Sequence, residues 1–308
     1  MSSIQQAAVA LKSGQLVAFP TETVYGLGAD AENPDAVAKI YSVKQRPTDH
    51  PLIVHIADKD AAKKWAIEIP QYALQLADTF WPGPMTLILK RSSLAKDFIT
   101  GGQDTVGLRV PDHPVALELL RSFSQLGGNG VAAPSANLFG RVSPTSAEAV
   151  QSEIGSRLSD ADLILEGGDS VVGIESTIID CTQSRPRILR PGAISAEQIM
   201  TKTNLSMLDS GERIRVSGAM ESHYSPRARV VLNDEAKPGD GLIASAQIAT
   251  PPQVIRLAAP TTDEEYAQQL YAALRKADQL GIQRVVAITP AGDGIAVAIR
   301  DRLRKASS

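Results

Sequence analysis

FPTETVYGLG, residues 19–28, is the stretch on which the reading of this chain turns. It continues the apolar run LVAF (16–19), which has the bulk of a buried strand. A strand that only filled a core would not run on into Thr-Glu-Thr, because buried hydroxyls and carboxylates need partners. A strand ending in such groups presents them at the rim of a sheet, where α/β proteins bind ligands. The flanking sequence supports that picture. Ser3 and Gln6 have capping-box spacing, Ile4, Ala7, Ala8 and Leu11 form one apolar face, and Gly14 ends the helix. Asn33-Pro34 opens a second helix that ends near Lys44, with Val37, Ile40 and Tyr41 inward. Strands are predicted at 51–56, 86–90, 106–110, 130–136, 163–166, 175–180 and 187–190, and helices at 58–65, 70–80, 113–124, 145–155 and 195–202. Some strands follow each other directly, which predicts an α/β fold with a mixed rather than an all-parallel sheet.

Residues 203–228 are polar and aperiodic and read as a linker. A second pattern follows. Strands are predicted at 229–232, 241–245, 254–257 and 285–289, with a helix capped by Thr262 and Glu265 between the last two and a final helix at 294–305. This is the outline of a small Rossmann-like α/β domain, although it has no GxGxxG. With 308 residues, two domains are expected: 1–202, a linker at 203–228, and 229–308.

Composition narrows the function. No apolar stretch approaches the roughly 20 residues of a membrane span, and the N-terminus lacks a signal-peptide core, so the expectation is a soluble, cytoplasmic protein. One cysteine, Cys181, leaves no intramolecular disulfide and no CxxC zinc site. A net charge of −3 argues against a dedicated nucleic-acid surface. There is no P-loop, HExxH or GxSxG, and the four histidines lack metal-ligand spacing. What stands out instead is polar residues at strand ends: PTETVYG, VKQRPTDHPLIVHI (43–56), AAPSANLFGRVSPT (132–145) and GIESTIIDCTQSRPRILRPG (173–192). Together they supply cations (Lys44, Arg46, Arg109, Arg190) and neutral hydrogen-bonding groups (Thr23, Ser135, Asn137, Ser143, Ser176), without an activated nucleophile. That inventory suits binding charged substrates and stabilising charge during transfer between them.

FPTETVYGLG, Lys44-x-Arg46, PLIVHI, WPGP (81–84), TVGLRVPDHP (105–114), APSAN (133–137), ESTIID and LRPG occur in the order that marks the threonylcarbamoyl-AMP synthase family, and the chain resembles that family over residues 4–200. HYSP (223–226) and the small domain resemble its two-domain form. The resemblance implies a YrdC-like twisted mixed sheet. It also implies condensation of L-threonine, bicarbonate and ATP to threonylcarbamoyl-AMP with release of pyrophosphate, for N6-threonylcarbamoyladenosine modification of tRNA by a downstream transferase. Carried over by position, the threonine pocket corresponds to Thr23, His55, Arg109, Ala133 and Ser176, with Arg109 facing the amino-acid carboxylate. The ATP site corresponds to Arg46, His50, Thr105, Ser135, Ser143, Arg190 and Tyr224. Lys44, Arg46, Ser135 and Asn137 form the catalytic tetrad over the phosphates, with Mg2+ held mainly by ATP rather than by protein ligands. The family usually carries Asn at the position of His50 and Gly at that of Gln45, and its linker usually carries a lysine missing from VSGAMESHYSP (216–226). The linker is expected to fold over the site as a lid. Two other functions fit the same cations: an RNA-binding module of this fold, with a weak tRNA contact, or a different carbamoyl transfer.

Overall fold

The structure is a computed structural model that describes residues 3–209, 211, 214–218 and 224–308. Met220 and His223 of the linker motif lie outside the described residues. The larger unit runs α1 (Ser3–Lys12), β1 (Val17–Phe19), β2 (Gly26–Asp30), α2 (Pro34–Lys44), β3 (Ile53–His55), α3 (Ala62–Trp65), α4 (Gln71–Phe80), β4 (Met85–Lys90), α5 (Asp97–Thr100), β5 (Thr105–Arg109), α6 (Pro114–Gln125), β6 (Val131–Ala132), α7 (Ala147–Ile154), β7 (Leu163–Ile164), β8 (Thr177–Asp180), β9 (Arg187–Arg190) and α8 (Ala196–Thr203). Its nine strands form one sheet in the order β7-β1-β2-β6-β3-β5-β4-β8-β9. Three neighbouring pairs are parallel, β1 with β7, β3 with β5 and β4 with β8, and the others antiparallel. The sheet is therefore mixed.

Local chemistry explains the boundaries. Asn33 caps α2 by accepting from the backbone N–H groups of Asp35 and Ala36. Gln45, at φ 53°, ends it in a left-handed turn that redirects the chain between Lys44 and Arg46. Ser195 and Gln198 form a reciprocal capping box on α8. Ser3 lies within α1 as described rather than ahead of it as a cap. The sequence reading also passed over β2, because Gly26, Gly28 and Asp30 are poor strand formers. Packing accounts for them. β2 folds back antiparallel on β1, pairing Val17 with Gly28 and Phe19 with Gly26. A Cβ on Gly28 would lie 2.8 Å from Val131 Cγ1 and 2.9 Å from Phe19 Cε1, so only glycine fits between these neighbours.

The smaller unit consists of β10 (Arg229–Leu232), β11 (Gly241–Ile243), β12 (Ile255–Ala258), α9 (Asp263–Gln279), β13 (Arg284–Ala287) and α10 (Ile295–Ala306). Its four-stranded sheet, in the order β10-β13-β11-β12, is parallel at every pair. Thr262 caps α9 as expected, and Tyr266, Leu270, Leu274 and Ala277 are buried beneath it. The core of this unit does not stop at its own boundary. Val24, Val142 and Ile174 of the larger unit share one apolar cluster with Tyr271, Leu274, Ile299 and Leu303. Of the described residues, no helix is long and apolar enough to cross a membrane. Gly28→Ala is expected to lower the unfolding free energy by about 2 kcal/mol through overpacking, measurable as a reduced urea midpoint at unchanged slope.

Candidate active site

The polar turn after β1 is held from three sides. Tyr25 N–H donates to Pro144 O (2.9 Å) and Ala136 N–H to Tyr25 O (2.8 Å). Val172 N–H donates to Glu22 O (2.7 Å), and Tyr25 Oη donates to Gly168 O (2.8 Å). With so many fixed backbone partners, Thr21, Glu22 and Thr23 are buried yet ordered. Thr21 and Thr23, with Val24 and Gly26, form one wall of a cleft lined also by Arg46, Ile53, His55, Arg109, Ala133, Ser135, Glu175, Ser176, Arg190, Ser217 and Tyr224. The stretch that opened the reading thus forms a rigid rim.

Strand register builds the amino-acid end. β3 and β5 run parallel with His55 opposite Arg109, so the two side chains emerge together. Arg109 is anchored through Nη1 to Thr23 Oγ1 (2.9 Å) and through Nε to Gly83 O (3.3 Å), which gives the WPGP stretch its task. Its Nη2 lies 2.6 Å from Glu22 Oε1. That contact is ionic in distance but poorly aligned, since none of the three atoms Nη2, Oε1 and Oε2 completes a well-formed hydrogen bond. Thr21 spends its hydroxyl proton on Val24 O (2.7 Å), so in the Thr21–Thr23 pair (2.8 Å) Thr23 is the donor. Toward a ligand Thr23 is therefore an acceptor, suited to an ammonium, an amine or a hydroxyl. Burial, and then the Arg109 charge, push the His55 pKa down to about 3, so its imidazole is neutral at physiological pH.

The opposite end gathers the other cations. Arg190 donates through Nη2 to Ser176 O (2.9 Å) and through Nη1 to Ser217 O (2.9 Å). Arg46 donates through Nη2 to Pro51 O (2.9 Å) and Ser217 Oγ (3.3 Å), with its guanidinium 5.5 Å from the Phe139 ring centroid. Burial lowers the Arg46 pKa to about 10, which leaves it a cation at neutral pH. Ser217, from the linker, thus lies across both guanidiniums. Gly218 beside it has φ +76° and no room for a Cβ, which would lie 2.2 Å from Tyr224 Oη.

Of the residues singled out from sequence, Thr23, Arg46, His55, Arg109, Ala133, Ser135, Ser176, Arg190 and Tyr224 line this one cleft. The rest are placed otherwise. Lys44 is 1% exposed, and its Nζ donates to Ser135 O (2.6 Å) and Asn137 O (2.5 Å) from behind the wall, so it braces the 135–137 backbone instead of lining the cleft. Gln45 is left-handed rather than extended, so Lys44 and Arg46 on either side of it leave the chain in different directions. Asn137 Nδ2 donates to Leu138 O (2.7 Å) and Arg141 O (2.8 Å), which leaves Oδ1 buried without a partner. His50 packs edge-on against Phe139, beside Arg46 but outside the cleft lining. Thr105 begins the strand that Arg109 ends, about 13 Å away at 3.3 Å per residue, and it does not line the cleft. Ser143 is fully buried, does not line the cleft, and donates to Glu175 Oε1 (2.6 Å) behind it. Burial alone would raise the Glu175 pKa, but Arg302, Arg190 and the Ser143 hydrogen bond hold it down to about 2. A carboxylate that weak as a base does not activate Ser143 as a nucleophile.

Glu22, Glu175, Ser217 and Arg302 are the polar groups of this site that sequence reasoning missed. Glu22 and Glu175 sit inside motifs that were read, next to Thr23 and Ser176. Ser217 lies in an aperiodic stretch and Arg302 in the charged run RDRLRK, where nothing local separates a buried arginine from a solvated one.

Fixed guanidiniums, an acceptor hydroxyl and a neutral imidazole in one cleft suit an enzyme that positions anionic substrates. A family model described as "Telomere recombination" matches residues 9–192, and one described as "Threonylcarbamoyl-AMP synthase, C-terminal domain" matches residues 194–308. The threonylcarbamoyl-AMP synthase of Pyrococcus abyssi is 38% identical, with 99% of this chain and 94% of that protein covered. The Bacillus subtilis threonylcarbamoyl-AMP synthase is also 38% identical, covering 99% and 92%. The crystal structure of P. abyssi Sua5 complexed with L-threonine superposes with a TM-score of 0.88 at 37% identity, covering 99% of this chain and 94% of that one. The chain belongs to the two-domain threonylcarbamoyl-AMP synthase family.

The neutral His55 makes a pH prediction. Its folded pKa of about 3 lies below the ordinary 6.5, so below pH 6.5 the unfolded chain takes up a proton that the folded chain refuses. The contribution is fully present above pH 6.5 and is lost as pH falls toward 3. The stability difference between wild type and His55→Leu is expected to move against wild type by about 2 kcal/mol between pH 7 and pH 5. Urea unfolding at both values checks this, and a difference independent of pH contradicts it.

Proposed function

We propose that this cleft binds L-threonine, bicarbonate and ATP and condenses them to threonylcarbamoyl-AMP, releasing pyrophosphate. The observation that carries the reading is the convergence of Arg46, Arg109 and Arg190 on one cleft, with Thr23 beside Arg109 left as a hydrogen-bond acceptor. Arg109 would take the threonine carboxylate, a charge-assisted pair that favours two parallel bonds. Thr23 would accept from the amine, with His55 and Ser176 completing the pocket beside Ala133. The deprotonated amine attacks the bicarbonate carbon, forming an N–C bond and expelling water, and gives a carbamate. A carbamate oxygen then attacks the α-phosphorus of ATP while the bond to pyrophosphate breaks. Each reactant is anionic, so the gain comes from cations already in place in a poorly hydrated site.

Arg46 and Arg190 would meet the phosphates once Ser217 is displaced, with Ser135, Ser143 and Tyr224 along the nucleotide. His50 and Thr105 belong to the nucleotide end in this proposal, at or beyond its edge. Lys44 acts from behind by fixing the carbonyls of Ser135 and Asn137. Mg2+ enters with ATP as part of the substrate, held mainly by the phosphates. The working division is 1–202 for the catalytic unit, 203–228 for a linker acting as a lid, and 229–308 for the small unit. The product would pass to a transferase that modifies tRNA.

Labelled bicarbonate, ATP and each amino acid in turn provide the direct test. Pyrophosphate release should require threonine, and release that ignores the amino acid rejects the reading. Arg109→Ala should raise the threonine KM roughly thirtyfold, for a lost charge-assisted bond worth about 2 kcal/mol. Lys44→Met should lower kcat with little change in either KM, because it disturbs the wall without removing a ligand contact. Both are read from steady-state pyrophosphate release.

A further inference from the structure

The final helix carries a side chain that the larger unit needs. Arg302 is 0% exposed, although it stands in a run of charges. Its Nε donates to Glu175 Oε2 (2.7 Å), its Nη2 to Pro191 O (3.0 Å) and its Nη1 to Asp301 Oδ2 (2.5 Å). The guanidinium carbon lies 5.1 Å from the centroid of the Tyr224 ring, which stacks on Tyr271 at 5.7 Å. Tyr271 donates to the same Glu175 oxygen (2.8 Å), so the small unit grips this carboxylate from two helices. One turn on, Lys305 donates to Gly218 O of the linker (2.8 Å). Glu175 and Tyr224 both line the cleft.

We propose that Arg302 is a positioning residue of the synthase, fixing Glu175 and Tyr224 so that the small unit completes the nucleotide end of the cleft. This rests on the functional reading above. The physical reason is charge. Glu175 is a carboxylate in the wall where a polyanionic nucleotide is to sit. Paired with Arg302 its charge is cancelled although it lines the cleft. Without Arg302 the available partner is Arg190, on the strand that pairs with the one following Glu175. A new Glu175–Arg190 pair would withdraw that guanidinium from the phosphates. The threonine end has its own supports in Thr23, Gly83 and Glu22, none of which touches Arg302. Loss of Arg302 should therefore strike one substrate and spare the other, which mere loosening of the fold would not do.

The experiment uses the full chain. Dissociation constants for a magnesium complex of a non-hydrolysable ATP analogue and for L-threonine are measured by calorimetry on wild type, Arg302→Met, Arg302→Lys and the double variant Glu175→Gln/Arg302→Met. Arg302→Met is expected to weaken the nucleotide tenfold or more and threonine less than twofold. The lysine, which restores charge but not the three-way geometry, should fall in between. The double variant, with neither charge left, should bind nucleotide better than Arg302→Met alone. Equal weakening of both ligands, no weakening, or a double variant no better than the single one would overturn the proposal. If Arg302→Met does not fold, the same comparison is made between Arg302→Lys and Glu175→Gln/Arg302→Lys. Threonine-dependent pyrophosphate release by wild type is scored separately, so its absence would count against the functional reading while the binding split still decides the role of Arg302.

Discussion

Three guanidiniums facing one poorly hydrated cleft repel each other, and the molecule is arranged around holding them there. The restraint comes from fixed acceptors rather than from solvent. Arg109 leans on Glu22, Thr23 and the Gly83 carbonyl, Arg190 on the Ser176 and Ser217 carbonyls, and Arg46 on Pro51 O and the face of Phe139. Most of these acceptors are main-chain oxygens, which carry partial charge without adding a counterion for a substrate to displace. The cleft therefore keeps its positive character while each cation is anchored by at least two protein contacts, with Arg109 Nη2 and Arg46 Nε left without a well-formed hydrogen bond. That is the state in which an anion gains most on entering, because little of the site has to reorganise.

Polar contacts around the cleft also follow a consistent donor logic. Thr21, Ser143 and Tyr271 each spend a hydroxyl proton on a protein oxygen, and in each case the receiving group is buried. Their neighbours are left as acceptors, and the guanidiniums are left to do the donating. In the proposed reading, a threonine zwitterion would offer its carboxylate to Arg109 and its ammonium to Thr23. The wall next to Glu175 works differently, since there a negative charge has been built in and then cancelled by Arg302 and screened by Ser143.

How much of this could be read in advance depended on range. Caps and strand runs are local, and Asn33, Ser195, Thr262 and the RILR strand were legible because three or four neighbouring residues determine them. The candidate residues at strand ends were legible because motifs such as APSAN and ESTIID carry polar groups where a core strand would not. β2 was not, because its glycines make sense only against Val131 and Phe19. The direction of Lys44 was not, because it depends on one left-handed residue. Glu175 and Arg302 are 127 positions apart, and no local pattern announces a pairing over that distance.

That separation also fixes an order of events during synthesis. A nascent chain makes Glu175, Ser176 and Arg190 long before residue 302, so until then Glu175 has Arg190 and Ser143 beside it but not Arg302. The sheet of the larger lobe can form vectorially, but the last strut arrives only with the closing helix. If Arg302 has the role proposed above, the nucleotide end of the cleft is complete only once α10 has docked.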